Sequence, residues 1–319
     1  MPPTAAPVRG RSLLSTIGDT PLVELTRLSP APGVRLFAKL EWANPTGSVK
    51  DRVALAMIEA AEGSGELTAG RTILEPSSGN TGIALAMIGR LRGYPVRIVL
   101  PASATPERVS LLRMYGAEVV SSPGELGSNG SIAMARELAA ADPSLFMPFQ
   151  YANAANPEAH YRGTAAEILR DCPEVDVFVA GLGTGGTLMG CGRRLREANP
   201  DLQVVAAEPL QGEDVMGLRS LEDGYVPEIL DVGQLDRRLL VGNDDSLRGL
   251  RMLARDEGIV AGVSSGGVLT AALRIARELE GPANVVMVLA DGGEKYLSAG
   301  LWDGAEDEVL DRMESRLWW

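Results

Sequence analysis

The sequence predicts an α/β fold with open, mainly parallel sheets, on three observations. Short apolar runs alternate with segments of helical periodicity along most of the chain. Loops rich in Gly, Ser, Thr and Asn sit between an apolar run and the helical segment after it. The apolar content is aliphatic, with 45% of residues hydrophobic but only 4% aromatic. Such alternation folds into parallel layers joined by right-handed crossovers. Ligands of such sheets bind beyond the carboxyl ends of the strands. A length of 319 residues suits about two domains.

In chain order, "VRLFAKLEW" (34–42) reads as a strand, and "DRVALAMIEAAEGSG" (51–65) as a helix with a glycine stop. "TILEPSSGNTGIALAMIGRLRGY" (72–94) is a strand, a polar glycine turn and a helix. "VRIVLPASATPERVSLLRMYGAEVV" (96–120) repeats strand, loop, helix and strand. "VDVFVAGLGTGGTLMGCGRRLREAN" (175–199) and "LQVVAAEP" (202–209) form another such unit. "DEGIVAGVSSGGVLTAALRIARELEG" (256–281) and "NVVMVLADGG" (284–293) continue the alternation. The Pro- and Asn-rich stretch "PFQYANAANPEAHYRG" (148–163) marks the expected boundary between two α/β layers.

Composition excludes several functions. The formal net charge of −12 argues against nucleic-acid binding, which depends on cations that neutralise phosphates. It leaves room for a small anionic ligand in a local pocket. No apolar run is long enough to span a bilayer, and the N-terminus lacks a signal-peptide pattern, so a cytoplasmic protein is expected. Cys172 and Cys191 read as small buried hydrophobes, not as a disulfide framework. His160 is the single histidine. It reads as a surface or satisfied core residue. No metal site is expected, and an enzyme here needs an acid–base group other than histidine.

Four loops are candidates for chemistry. "NPTGSVKDR" (44–52) holds Lys50; Lys39 and Lys295 are the only other lysines, every remaining Lys/Arg-type cation being arginine. Lys50 opens a helix, and the positive end of the helix dipole lowers an amine pKa. A lysine must be neutral to form a Schiff base or act as a base; the plain alternative is a solvated surface lysine. "SSGNTG" (77–82) presents Ser77, Ser78, Gly79, Asn80 and Thr81 at a helix start. Backbone N–H groups and short hydroxyls there suit a carboxylate, or simply cap the helix. "GLGTGGT" (181–187) is a phosphate cradle by the same physics. Its Gly181, Gly183 and Gly186, with Glu208 ending the next strand, also match a dinucleotide fingerprint, so an NAD-binding dehydrogenase or sensor stands as a rival. In "GVSSGG" (262–267), Ser264 or Ser265 suits a heterocyclic nitrogen or a helix cap.

"NPTGSVKDR", "SSGNTG", "GLGTGGT", "GVSSGG" and "EKYLS" occur in the order and spacing of the cysteine synthases, which are fold-type II pyridoxal-phosphate (PLP) enzymes. The resemblance runs from "IGDTPLVEL" (17–25) to the C-terminus. It implies two doubly wound open-sheet domains. A smaller, mobile substrate-loop domain would span 46–151, and a larger phosphate-binding domain 1–45 plus 152–319. Lys50 resembles the lysine that holds PLP and moves the Cα proton. Asn80 resembles the asparagine at the cofactor's ring oxygen. Gly183, Thr184, Gly185, Gly186 and Thr187 resemble the phosphate loop, and Ser264 the serine at the pyridine nitrogen. Ser77, Ser78, Gly79, Thr81 and Gln150 resemble the site of the substrate α-carboxylate. The implied reaction makes L-cysteine from an activated serine and a sulfur donor through an α-aminoacrylate.

Two details are similar to the O-phosphoserine-dependent subgroup. Arg219 in "VMGLRSLEDGYVP" stands where those enzymes have an arginine facing the substrate phosphate. The tail at 312–319, with Trp318 and Trp319, resembles one that docks in the active-site cleft. That subgroup takes sulfur from a thiocarboxylated, ubiquitin-like carrier protein. An O-acetylserine sulfhydrylase or a cystathionine β-synthase-like enzyme is the alternative, and the family leads one to expect a homodimer.

Overall fold

The computed structural model describes residues 12–314 apart from Ser78. Strands β1 (Leu22–Glu24) and β2 (Val34–Leu40) come first. Then follow α1 (Lys50–Ser64), β3 (Thr72–Pro76), α2 (Asn80–Arg92), β4 (Val96–Pro101), α3 (Pro106–Met114), β5 (Glu118–Ser122), α4 (Gly127–Ala141) and β6 (Leu145–Phe146). Next are α5 (Ala155–Ala159), α6 (Ala165–Asp171), β7 (Val177–Gly181), α7 (Gly186–Ala198), β8 (Gln203–Pro209) and β9 (Arg237–Val241). The described chain ends with α8 (Asn243–Glu257), α9 (Val263–Glu278), β10 (Ala283–Leu289) and α10 (Glu306–Glu314).

These strands form a six-stranded sheet, ordered β1-β2-β10-β7-β8-β9, and a four-stranded sheet, ordered β5-β4-β3-β6. All pairings are parallel except β1 with β2. Alternate residues along a strand face opposite sides, and the central strands of the larger sheet are buried on both. Val179, Val205, Val285 and Met287 pack on Leu269, Ala272 and Ile275 of α9. Phe178, Ala180, Val204 and Val286 pack on Ile168 of α6 and on Leu188 and Leu195 of α7. A sheet covered twice needs continuous apolar strands such as "NVVMVL". In the smaller sheet, Ile73 and Ile98 meet Val53, Met57, Ile83 and Met87 of α1 and α2, while Leu74 and Val99 meet Ala135 of α4.

Three expectations change. The larger sheet carries the short antiparallel edge strand β1, which the alternation did not suggest. The "GVSSGG" loop does not follow a strand. It joins α8 to α9, and its Ala261 makes only an isolated bridge to Gly292. The stretch 148–163 is not plain linker, because it contains α5 and runs into a π-helical turn, His160–Thr164.

Candidate active site

A cavity of about 170 Å³ opens where the small-residue loops of the two sheets converge. Lys50, Ser77, Gly79, Asn80, Thr81, Gln150, Gly183, Thr184, Arg219 and Ser264 all line it. A smaller adjoining cavity of about 40 Å³ is lined by Lys50, Ser264 and the Gly183, Thr184, Gly185 and Thr187 loop. Most of the expected site residues are therefore together. Ser78 and the Trp318–Trp319 tail lie outside the described residues.

Lys50 is the first residue of α1. Its turn is anchored by Val49, whose N–H donates to Ala290 O over 2.8 Å at the end of β10. Burial holds the amine below its ordinary pKa, opposed by the carboxylates of Asp291 and Glu41. Burial, and not only the helix end, makes the neutral form accessible. Lys50 Nζ makes no hydrogen bond or ion pair among the described residues, so no acceptor at hydrogen-bond distance there holds its proton. The neighbours Asp51 and Arg52 brace the turn, a role their sequence does not advertise. Asp51 accepts from the Thr46 N–H over 2.7 Å and from the Thr46 hydroxyl, and Arg52 Nε donates to Glu41 over 2.7 Å.

At the mouth of α2, Ser77 Oγ accepts from the N–H groups of Gly79 and Gly82 over 3.2 and 3.0 Å. The Thr81 hydroxyl donates to Gln150 Oε1 over 2.7 Å. Gln150 is held in turn by the buried Glu75, which accepts the N–H groups of Phe149 and Gln150 over 2.8 and 2.9 Å. Asn80 Nδ2 donates to Asp291 over 2.7 Å, and its Oδ1 accepts from Lys295 over 2.8 Å. Neither Asp291 nor Lys295 is assigned to the site by the sequence, although Lys295 stands in the "EKYLS" motif.

The phosphate-loop candidate leads from β7 into α7. Gly185 caps α7 at φ +86°, a left-handed conformation that only glycine adopts freely. The first N–H groups of the helix lack intrahelical acceptors, an arrangement that suits an anion. Asn156 crosses behind this loop and donates to Gln150 O over 2.8 Å and to Thr184 Oγ1 over 3.0 Å. His160 is buried, with Nδ1 at 3.0 Å from Thr164 Oγ1 and Nε2 at 3.2 Å from Thr187 Oγ1. Burial pushes it well below the usual histidine pKa. It is a neutral core residue that orients Thr187.

A phosphate fits here, because no carboxylate lines the smaller cavity among the described residues. Ser264 lines both cavities, as Lys50, Gly183 and Thr184 do. The dinucleotide rival loses its acid. Glu208 is fully buried and accepts from Arg238 over 2.7 and 2.9 Å and from the Leu221 N–H over 2.7 Å. It has no freedom to hold a ribose.

The family model described as "Pyridoxal-phosphate dependent enzyme" matches residues 13–291. The chain belongs to this family. Within the family it is 45% identical over 297 residues to a probable cysteine synthase of Bacillus subtilis, covering 90% of this chain and 96% of that protein. It is 42% identical over 293 residues to cysteine synthase B of Pseudomonas aeruginosa, covering 92% and 97%. Among solved structures, that of an O-ureido-L-serine synthase superposes with a TM-score of 0.87 at 39% identity, covering 95% of this chain and 99% of that one. The pyridoxal-phosphate dependent chain described here is thus an enzyme of the cysteine-synthase type, with β-replacement as its chemistry. No helix among the described residues is long and apolar enough to cross a membrane.

Proposed function

We propose that this enzyme forms L-cysteine from O-phospho-L-serine and that Arg219 receives the leaving phosphate. The observation that carries the proposal is the place of Arg219. Arg219 lines the same cavity as Lys50. Its guanidinium lies 5.4 and 5.5 Å from the ring centroids of Tyr151 and Tyr225 and donates to Asn129 Oδ1 over 3.2 Å. A guanidinium held in this way pairs with a phosphate through two parallel hydrogen bonds, which an acetyl ester does not reward.

Lys50, Asn80, the 183–187 loop and Ser264 hold PLP in this reading. When bound, PLP supplies the electron sink that lets the Cα proton and the β-substituent leave. Lys50 Nζ takes the Cα proton and returns it after the sulfur nucleophile has added. Ser77, Ser78, Gly79, Thr81 and Gln150 hold the α-carboxylate, which orients the Cα–H bond toward Lys50. Residues 46–151 act as the mobile substrate domain. The 312–319 tail shields the site until a thiocarboxylated, ubiquitin-like carrier protein delivers sulfur, and the working unit is a homodimer.

The test is Arg219→Ala with both activated serines. Its kcat/KM for O-phosphoserine should fall roughly 100-fold, against less than about fivefold for O-acetylserine. Equal losses on both substrates would return the reading to an O-acetylserine enzyme.

A further inference from the structure

We propose that Asp291 and Lys295 are positioning residues that lock the Asn80 amide in one orientation, with its Nδ2 donor end on the cavity side. The proposal rests on the reading of Asn80 as the residue that holds the cofactor's ring oxygen, and it explains how that donor is aimed.

Asn80 is gripped at both ends. Lys295 Nζ donates to Oδ1 over 2.8 Å, and Nδ2 donates to Asp291 Oδ2 over 2.7 Å. An ammonium only donates, and a carboxylate only accepts. A flip of the amide would set donor against donor and acceptor against acceptor. The two partners also lie on different sides. Asp291 lines the cavity that contains Lys50, whereas Lys295 lines a different one. The donor end therefore faces the site, and its second N–H is the one left for a ligand.

The grip is itself held. Asp291 and Lys295 are 1% and 4% exposed. Asp291 Oδ2 also accepts the Tyr296 hydroxyl over 2.7 Å, and Lys295 Nζ also donates to Gly47 O over 3.1 Å. The Asp291 backbone pairs with Ser48, two residues before Lys50, and accepts the Gly262 N–H over 2.9 Å, two residues before Ser264. Gly262 makes room for the carboxylate, since a Cβ there would stand 2.0 Å from Asp291 Oδ1. One acid thus ties together the lysine turn, the asparagine helix and the serine helix.

The experiment uses the PLP-loaded enzyme and reads the visible absorption band across pH, together with the PLP dissociation constant from equilibrium dialysis. Asp291→Ala and Lys295→Met should each weaken PLP binding roughly tenfold or more, the size of a lost charged hydrogen bond, and move the band. Asp291→Asn still offers an acceptor to Asn80 Nδ2 and should restore both. In an Asn80→Ala background, Asp291→Ala should add less than about twofold, because its target is gone. A wild-type band and affinity in Asp291→Ala, or the same loss with and without Asn80, would overturn the proposal. If Asp291→Ala does not fold, Lys295→Met decides by the same criteria. A wild-type protein with no visible band, or one that borohydride does not crosslink to PLP at Lys50, would instead remove the cofactor-site reading, and the proposal with it.

Discussion

The chain has three lysines and withdraws all of them from the surface. Lys39 and Lys295 are buried and Lys50 is partly buried, while the exposed cations are arginines. The chemistry of the two side chains explains the division. Arginine keeps its proton everywhere, whereas lysine gives it up when desolvated. Lys39 keeps a counter-charge, Glu167 at 2.7 Å, and Lys295 keeps hydrogen-bond acceptors. Lys50 has no partner at hydrogen-bond distance from its Nζ among the described residues; burial lowers its pKa, as it does that of Lys295, against the more distant charges of Asp291 and Glu41. The neutral amine, which reacts with an aldehyde, is thus reached at lower pH than for a free lysine. Uptake of PLP by the cofactor-free enzyme should accelerate with pH, with a midpoint below the ordinary lysine value of 10.5. Removing either carboxylate should move the midpoint lower still. A midpoint at or above that value would mean that the two acids outweigh burial.

At the scale of elements, the site consists of loops whose glycines admit other parts of the chain. A Cβ on Gly186 would stand 1.9 Å from Oδ1 of Asn156, the side chain that joins the 183–187 loop to Gln150. Gly186→Ala should therefore push Asn156 away and weaken PLP binding by roughly tenfold or more. Gly63, inside α1, has nothing within 4 Å of its missing Cβ. Gly63→Ala should leave binding unchanged and stabilise the protein by about 0.5 kcal/mol. Dialysis and thermal melts on the two variants separate glycine needed for space from glycine that is merely tolerated. The same contrast shows what could be read beforehand. Lys50, the 77–82 loop and the 181–187 loop were legible because small residues interrupt strong strand and helix periodicities. Asp291 and Lys295 were not, because they meet Asn80 across 211 and 215 residues of chain, and no local pattern encodes such a contact. The strand β9 was missed because its "RRLLV" is largely exposed and lacks the apolar run of a central strand. The reading of "GVSSGG" as a strand-following loop failed because glycine and serine before a helix look alike after a strand or after another helix.

At the scale of the whole molecule, the Lys50 turn must hold its place between two sheets, and a buried ionic network does this. Arg52, two residues after Lys50 on α1, donates to Glu41 after β2 and to both oxygens of Glu167 on α6 over 2.6 and 2.7 Å. Glu167 also pairs with Lys39 and accepts the N–H groups of Asp19 and Thr20 over 2.9 and 3.2 Å. These partners outweigh its burial and hold its carboxyl down to about 2, from an ordinary 4.5. The folded-state pKa is depressed, so this stability is complete above about 4.5 and is lost as pH falls toward 2. Glu167→Gln removes the charge and leaves Arg52 and Lys39 short of a partner, which should cost about 3 kcal/mol at neutral pH. Because the variant has no proton to take up there, its stability should fall less steeply than that of the wild type between about pH 4.5 and 2. Urea unfolding across that range is the measurement. Curves that stay parallel would show that the network adds nothing to acid stability. If the curves converge toward low pH while PLP uptake at neutral pH slows in the variant, one network both stabilises the fold and positions Lys50.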